Sequence, residues 1–222
     1  MNNNNEYTVC IYSEASKEYL PVIRSAWHEI AQFDQRDRIE PHITISQARI
    51  PEEAHNETYE TITNEIRSLN LKHLTFRFSR IVCAPHQPEC LFLAINKNKT
   101  LYHDHHCKVV NILNKHRRGL LRSCDRSKIN ERFYHPDQIR VAQEYGYPHV
   151  MKWYKPHISL CKLKDVNQVK TIKQILNKKL AALLKKEFIS INLTSGLFIN
   201  NLETGTIEKL RTEKIKLIID WD

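Results

Sequence analysis

A hexapeptide that occurs twice constrains this chain more than any other feature. Pro41-His42-Ile43-Thr44-Ile45-Ser46 returns as Pro156-His157-Ile158-Ser159-Leu160-Cys161. Each copy alternates polar and apolar residues, the pattern of a half-buried β-strand. Successive side chains of a strand point to opposite faces. His42 and Thr44 therefore share one face and Ile43 and Ile45 the other, with the same division between His157 and Ser159 and between Ile158 and Leu160. Each copy precedes an amphipathic segment, Ala54–Leu69 after the first and Val166–Leu183 after the second. A single His-x-Thr on a strand is most simply structural. Two copies, each with Pro before the His and Ile after it, predict two strands that face one cleft.

The surrounding pattern extends this expectation. Glu6–Tyr12 reads as a strand, and Leu20, Ile23, Trp27, Ile30 and Ala31 recur at helical spacing. Pro51 opens the helix that follows the first copy. Leu74–Cys83 and Cys90–Ile95 read as paired strands, and Leu101, His105, Val109 and Ile112 as a helix. Phe188–Ile199 and Ile207–Ile219 contain the closing strands, with Gly205 in the turn between them. Arg117–Tyr147 shows no firm period and reads as a long loop or insertion with short helices. The expected architecture is a single α+β domain over residues 1–222. It is bilobal and duplicated, with two antiparallel sheets facing a central cleft and helices outside.

Composition narrows the chemistry. Lys and Arg number 34 against 25 Asp and Glu, a formal charge of +9, which favours polyanions such as RNA over neutral partners. Only four glycines are present, with neither a GxGxxG nor a Walker loop, so any phosphate is expected to be held by side chains. The six cysteines form no CxxC pair and are expected to be reduced, which with the absence of a signal-like leader or an apolar span predicts a cytoplasmic protein off the membrane. A monomer is expected.

Two imidazoles, each beside a hydroxyl, suit phosphodiester chemistry. Histidine titrates nearest neutrality, so a pair supplies a base for the attacking oxygen and an acid for the leaving oxygen. Thr44 and Ser159 are placed to donate hydrogen bonds to phosphate oxygens. No metal or cofactor is called for.

These paired strands resemble the signature of the 2H phosphoesterase superfamily, which includes 2'-5' RNA ligases, 2',3'-cyclic phosphodiesterases and a U6 RNA-trimming exonuclease. Glu144–Met151 also resembles a bacterial branch associated with phosphonate metabolism. The resemblance implies that His42 and His157 are the acid–base pair and that Thr44 and Ser159 contact phosphate. It implies an RNA or nucleotide phosphate as substrate. Many relatives carry Arg five residues after the second His, where this chain has Lys162. Gln47 holds the matching place after the first, with Arg49 two residues on. Lys162 and Arg49 are therefore candidate substrate contacts.

Tyr145, Tyr147, Trp153 and Tyr154 cluster before the second copy and suit base stacking or core packing. Tyr154 and Tyr145 are taken as candidate substrate contacts. His103, His106 and Cys107 would share a helix face, but without a second ligand pair a polar helix face is expected rather than zinc. Alternatives to hydrolysis are an RNA-binding module of the same fold without turnover, and a 3'-5' RNA-trimming exonuclease.

Overall fold

The computed structural model describes residues 5–35, 40–84, 87–95, 99–131 and 133–219, excluding the side chains of 99–101. Met1–Asn4 and Arg132 lie outside this range, as does the side chain of Leu101, which the sequence places on a helix face.

Among the described residues, eight strands and six α-helices follow in chain order: β1 (Asn5–Glu14), α1 (Leu20–Glu29), β2 (His42–Ile50), α2 (His55–Ser68), β3 (Leu74–Ala84), β4 (Gln87–Ile95), α3 (Lys99–His116), α4 (Ser123–Asn130), α5 (Pro136–Tyr145), β5 (His157–Lys162), α6 (Val169–Leu180), β6 (Glu187–Ser190), β7 (Asn192–Asn201) and β8 (Ile207–Lys216). The strands form one sheet in the order β6-β3-β4-β5-β2-β1-β7-β8, with every neighbouring pair antiparallel. The α+β class and the duplicated antiparallel halves agree with the sequence reading. The two halves are continuous, however: they meet at β2 and β5, paired through Ile43 and Ile158.

The duplication is interleaved. β1-α1-β2-α2-β3 corresponds to β4-α3-β5-α6-β7, but the last strand of each unit crosses to the other half, so β3 pairs with β4 and β7 with β1. Phe188–Ile199, one apolar stretch in the sequence, divides at Ile191 into β6 and β7, which lie in opposite halves. The sheet curls until its two ends meet. Lys72 bridges Ile218, and the Ser13 and Ser190 hydroxyls are 2.6 Å apart.

Helices cover the apolar face. Val9, Ile11, Ile43, Ile45, Leu91, Leu93, Ile158 and Leu160 pack there with Ile23 of α1, Ile62 and Ile66 of α2, Val109 of α3 and Ile172 and Leu176 of α6 in one buried core. Fully burying each such aliphatic contributes about 1.5–3 kcal/mol, which fixes the strand faces and so sends the histidines to the other side. No helix among the described residues is long and apolar enough to cross a membrane.

The stretch 117–147 holds α4 and α5. Pro136 starts α5, and the His135 side chain accepts from the Asp137 amide at 3.2 Å. Gly146 ends it with φ +81°, where a Cβ would lie 2.6 Å from Arg117 Cδ. Arg117 donates to the Gln143 and Glu144 carbonyls at 3.0 and 2.7 Å, tying the last turn of α5 to the end of α3.

Candidate active site

Both strands carrying the repeated hexapeptide lie side by side at the seam. Pairing of Ile43 with Ile158 sets His42 opposite Ser159 and Thr44 opposite His157. Residues directly opposite in an antiparallel pair share a face, so all four polar side chains lie on the side away from the buried isoleucines. All four are half-buried, while Ile43 and Ile158 are fully buried behind them. The structure thus brings together the four residues that the hexapeptides singled out.

The two imidazoles are held alike. His42 Nδ1 lies 2.8 Å from the Glu40 carbonyl, and His157 Nδ1 lies 2.6 Å from the Lys155 carbonyl. A carbonyl only accepts, so each Nδ1 carries the proton, and each Nε2 is the nitrogen left for chemistry. An aromatic ring braces each one. Tyr12 meets His42 edge-on at 5.2 Å between centroids, and Phe92 stacks on His157 at 4.2 Å. Tyr12 pairs with Thr44 and Phe92 with Ser159, so these braces occupy equivalent places in the two halves.

Burial lowers the pKa of both histidines below the ordinary value, partly offset by the carbonyl at Nδ1. The positive charge of His42 lowers His157 further, which places the two rings within electrostatic reach. Cys10, on β1, hydrogen-bonds Thr44, and burial pushes its thiol up to about 12, so it stays protonated.

Two β-bulges extend the site. The β1–β2 register passes from Tyr12–Thr44 to Ile11–Ser46, leaving Ile45 extra. The β4–β5 register passes from Phe92–Ser159 to Leu91–Cys161, leaving Leu160 extra. Each extra residue shifts the alternation by one. Gln47, Arg49 and Lys162 consequently emerge on the histidine face, where strict alternation would have put them on the other.

The further candidates divide. Lys162 lies on the histidine face, beside an open groove of about 520 Å³ lined in part by Gln35, Glu89 and Asp165. Arg49 is ion-paired with the buried Glu6 at 3.3 Å, and Glu6 also accepts from the amide and hydroxyl of Ser123 at 2.7 and 2.8 Å. Arg49 therefore anchors the insertion. Tyr154 lies under β2, its hydroxyl donating to the Thr44 carbonyl at 3.1 Å and its ring stacked on His106 at 3.9 Å. It supports the strand. Tyr145 packs with Val110, Val141 and Val150 in a separate small cluster, so the structure does not bring it to the histidines.

The His103–Cys107 run differs from the expected polar face, because His105 and His106 are buried. His106 Nδ1 donates to the Ile45 carbonyl at 2.6 Å and Nε2 accepts from the Met151 amide at 3.0 Å. No group of three His, Cys, Asp or Glu able to hold a metal occurs among the described residues.

Further residues, none of them assigned to the site from the sequence, come from the insertion and from the segment just after it. Arg122, paired with the buried Asp125 at 2.6 Å, lies 4.7 Å over the Tyr147 ring, and Tyr147 hydrogen-bonds Gln47. His149 contacts Tyr147 and Tyr134, within electrostatic reach of His157. The density of aromatic and basic residues was the available signal. Their convergence depends on how α4 and α5 dock.

The fold is that of LigT. E. coli LigT in apo form superposes with a TM-score of 0.54 at 8% identity, covering 96% of this chain and 99% of that one. The same protein complexed with NADP+ gives 0.54 at 8%, covering 96% and 98%. A structure described as a phosphoesterase gives 0.52 at 7%, covering 94% and 98%. At such identities the likeness establishes the fold. No curated protein matches the sequence. The chain belongs to the family described as "Protein of unknown function (DUF1045)", which it matches over residues 43–201.

Proposed function

We propose that this protein is a phosphodiesterase acting on a nucleotide or an RNA end through two-histidine acid–base catalysis. The observation that carries this reading is the matched anchoring of His42 and His157. Each Nδ1 is fixed on a backbone carbonyl, and both rings stand on the same face of the sheet. Such anchoring selects the tautomer whose Nε2 is a base when neutral and an acid when protonated.

On a 2',3'-cyclic phosphate, one Nε2 takes a proton from water as the water oxygen bonds to phosphorus. The other Nε2–H gives its proton to the ribose oxygen as the P–O bond breaks. Thr44 and Ser159 donate hydrogen bonds to the non-bridging oxygens, whose charge grows in the transition state. On an RNA end the same base would take the proton of a ribose 2'-hydroxyl, and cleavage would leave a cyclic phosphate. The complex of LigT with NADP+ and the excess of basic residues favour a nucleotide over an uncharged ester.

The test is a screen of 2',3'-cyclic nucleotides and short RNAs in EDTA, with products identified by mass. Turnover is expected to persist with chelator, and His42→Ala and His157→Ala are each expected to lower it by about 10²–10⁴-fold in a folded protein. Full activity of either purified variant overturns the reading. Binding of RNA with no cleavage of any phosphodiester would instead support the module without turnover.

A further inference from the structure

The run from His103 to Cys107 takes no part in the proposed chemistry, yet it brings donor atoms together. His103 and Cys107 are four residues apart on α3 and so share a face. His103 Nε2 lies 3.4 Å from Cys107 Sγ, and Met151 Sδ lies 3.7 Å from the same sulfur. All three side chains are half-buried. Met151 is distant in sequence and is fixed through its backbone. Its amide donates to His106 Nε2 at 3.0 Å, and its carbonyl accepts from the Tyr154 amide at 3.0 Å. Val150 before it is buried with Val110 of α3. The φ of Met151 is +52°, in the left-handed region that residues other than glycine seldom adopt.

The spacing is that of ligands around one ion. A first-row metal bound at about 2.3 Å to sulfur and about 2.0 Å to nitrogen holds tetrahedral S and N donors roughly 3.5 Å apart and two sulfurs roughly 3.8 Å apart. The donor types choose among ions. A thiolate with a thioether is a soft pair that selects copper(I), whereas zinc takes Cys, His and carboxylates. His, Cys, Asp and Glu fall short of three here because the third donor is a thioether. Charge agrees with this choice. One thiolate, a neutral imidazole and a thioether carry a single negative charge, so a monovalent cation leaves a neutral centre in a half-buried place. An open groove of about 320 Å³, lined in part by Arg140, Glu144, Tyr145 and Met151, gives an ion a way in from solvent.

We infer that His103 Nε2, Cys107 Sγ and Met151 Sδ form a copper(I) site between α3 and the turn at Met151. On binding, the Cys107 S–H bond breaks, its proton passes to water and an S–Cu bond forms, with no change of oxidation state. The site uses neither member of the histidine pair and stands apart from the phosphodiesterase reading. An ion there ties α3 to the segment that leads into β5.

Anaerobic titration of the full chain with copper(I), in competition with a chromogenic copper(I) chelator, tests this. Losing an outer-shell partner of a metal site costs about 10–100-fold in affinity, and losing a donor costs at least as much. Wild-type protein is expected to take one equivalent from the chelator, Met151→Leu to bind at least tenfold more weakly, and Cys107→Ser to lose the site. Cys124→Ser, which removes the exposed thiol, is expected to bind as wild type does. X-ray absorption of the loaded protein should show two sulfurs and one nitrogen around copper. Circular dichroism checks the fold of each variant, and Met151→Leu, which keeps size and apolar character, carries the test if Cys107→Ser unfolds. Wild-type protein that takes no copper(I), or Met151→Leu that binds as tightly as wild type, shows a hydrogen-bonded thiol only and overturns the site. Loss of binding in Cys124→Ser, or equal affinity for Zn²⁺, overturns it as well.

Discussion

His106 donates from Nδ1 to the carbonyl of Ile45, 2.6 Å away, and Ile45 is the extra residue of the β1–β2 bulge. A bulge disrupts the ladder locally, and a buried carbonyl without a donor is costly. His106 supplies that donor from α3 and takes the Met151 amide on its other nitrogen. One buried ring thus joins the strand of His42 to the segment that leads into the strand of His157. His106→Ala would leave both backbone groups unpaired and the Tyr154 ring without its stacking partner. Each buried unpaired group costs about 1–3 kcal/mol. The expected loss is roughly 2–6 kcal/mol in denaturant unfolding, with a fall in kcat larger than any change in KM. Unchanged stability would refute this role.

His106 also predicts how stability depends on pH. Burial lowers its pKa from 6.5 to about 4, with the Ile45 carbonyl opposing and His103 adding to the fall. The unfolded chain therefore binds more protons than the folded one between those values, and stability rises with pH across that window. It is complete above about pH 6.5 and is lost as pH falls toward 4. A shift of this size corresponds to about 3 kcal/mol at 1.36 kcal/mol per unit. Unfolding free energies measured at intervals from pH 7.5 to 4 should decline. The decline should be shallower in His106→Phe. Identical slopes in the two proteins would show that His106 carries no such linkage.

Much of this site is legible in the sequence because one period governs it. Alternation alone places His42 with Thr44 and His157 with Ser159, and the apolar partners Ile43 and Ile158 say which face is buried. The bulges are not legible. Ile45 and Leu160 look like ordinary strand residues, and only the pairing with β1 and β4 shows that each is extra. Gln47, Arg49 and Lys162 therefore change faces without any local signal. His106 sits in a polar run, and its burial follows from α3 packing on β2, a tertiary fact. The exchange of β3 and β7 between halves is hidden for a similar reason. Apolar alternation marks a strand and its inner face but does not choose its neighbour.

Gly196 on β7 lies beneath the brace of His42. A Cβ there would come within 2.6 Å of Phe198 Cε2 and 3.2 Å of Tyr12 Cε1. Tyr12 is buried against His42, so it has little room to yield. Gly196→Ala is expected to cost about 1–3 kcal/mol from overpacking and to lower kcat by tilting the His42 ring. Adding Phe198→Ala should restore most of both losses, because it removes the nearer clash. A double variant no better than the single one would place the damage elsewhere. Wild-type kinetics in Gly196→Ala would show that the Tyr12 contact does not position His42.

The histidine pair finally predicts the shape of the pH–rate curve. Turnover needs one ring neutral and one protonated, so the singly protonated pair is the active form. Burial lowers both rings, and the charge of His42 lowers His157 further. As pH falls, the pair in the free enzyme therefore gains its first proton only below the ordinary histidine value of about 6.5, and its second at a lower pH still. kcat/KM should form a bell with its alkaline limb falling from below about pH 6.5. The negative charge of bound substrate favours the protonated rings, so the kcat curve should lie on the alkaline side of the kcat/KM curve. Replacing either histidine should abolish the bell along with the rate. A kcat/KM plateau that holds above pH 8 would mean that no imidazolium donates the proton to the leaving oxygen, and the pair would then lose its role as acid and base.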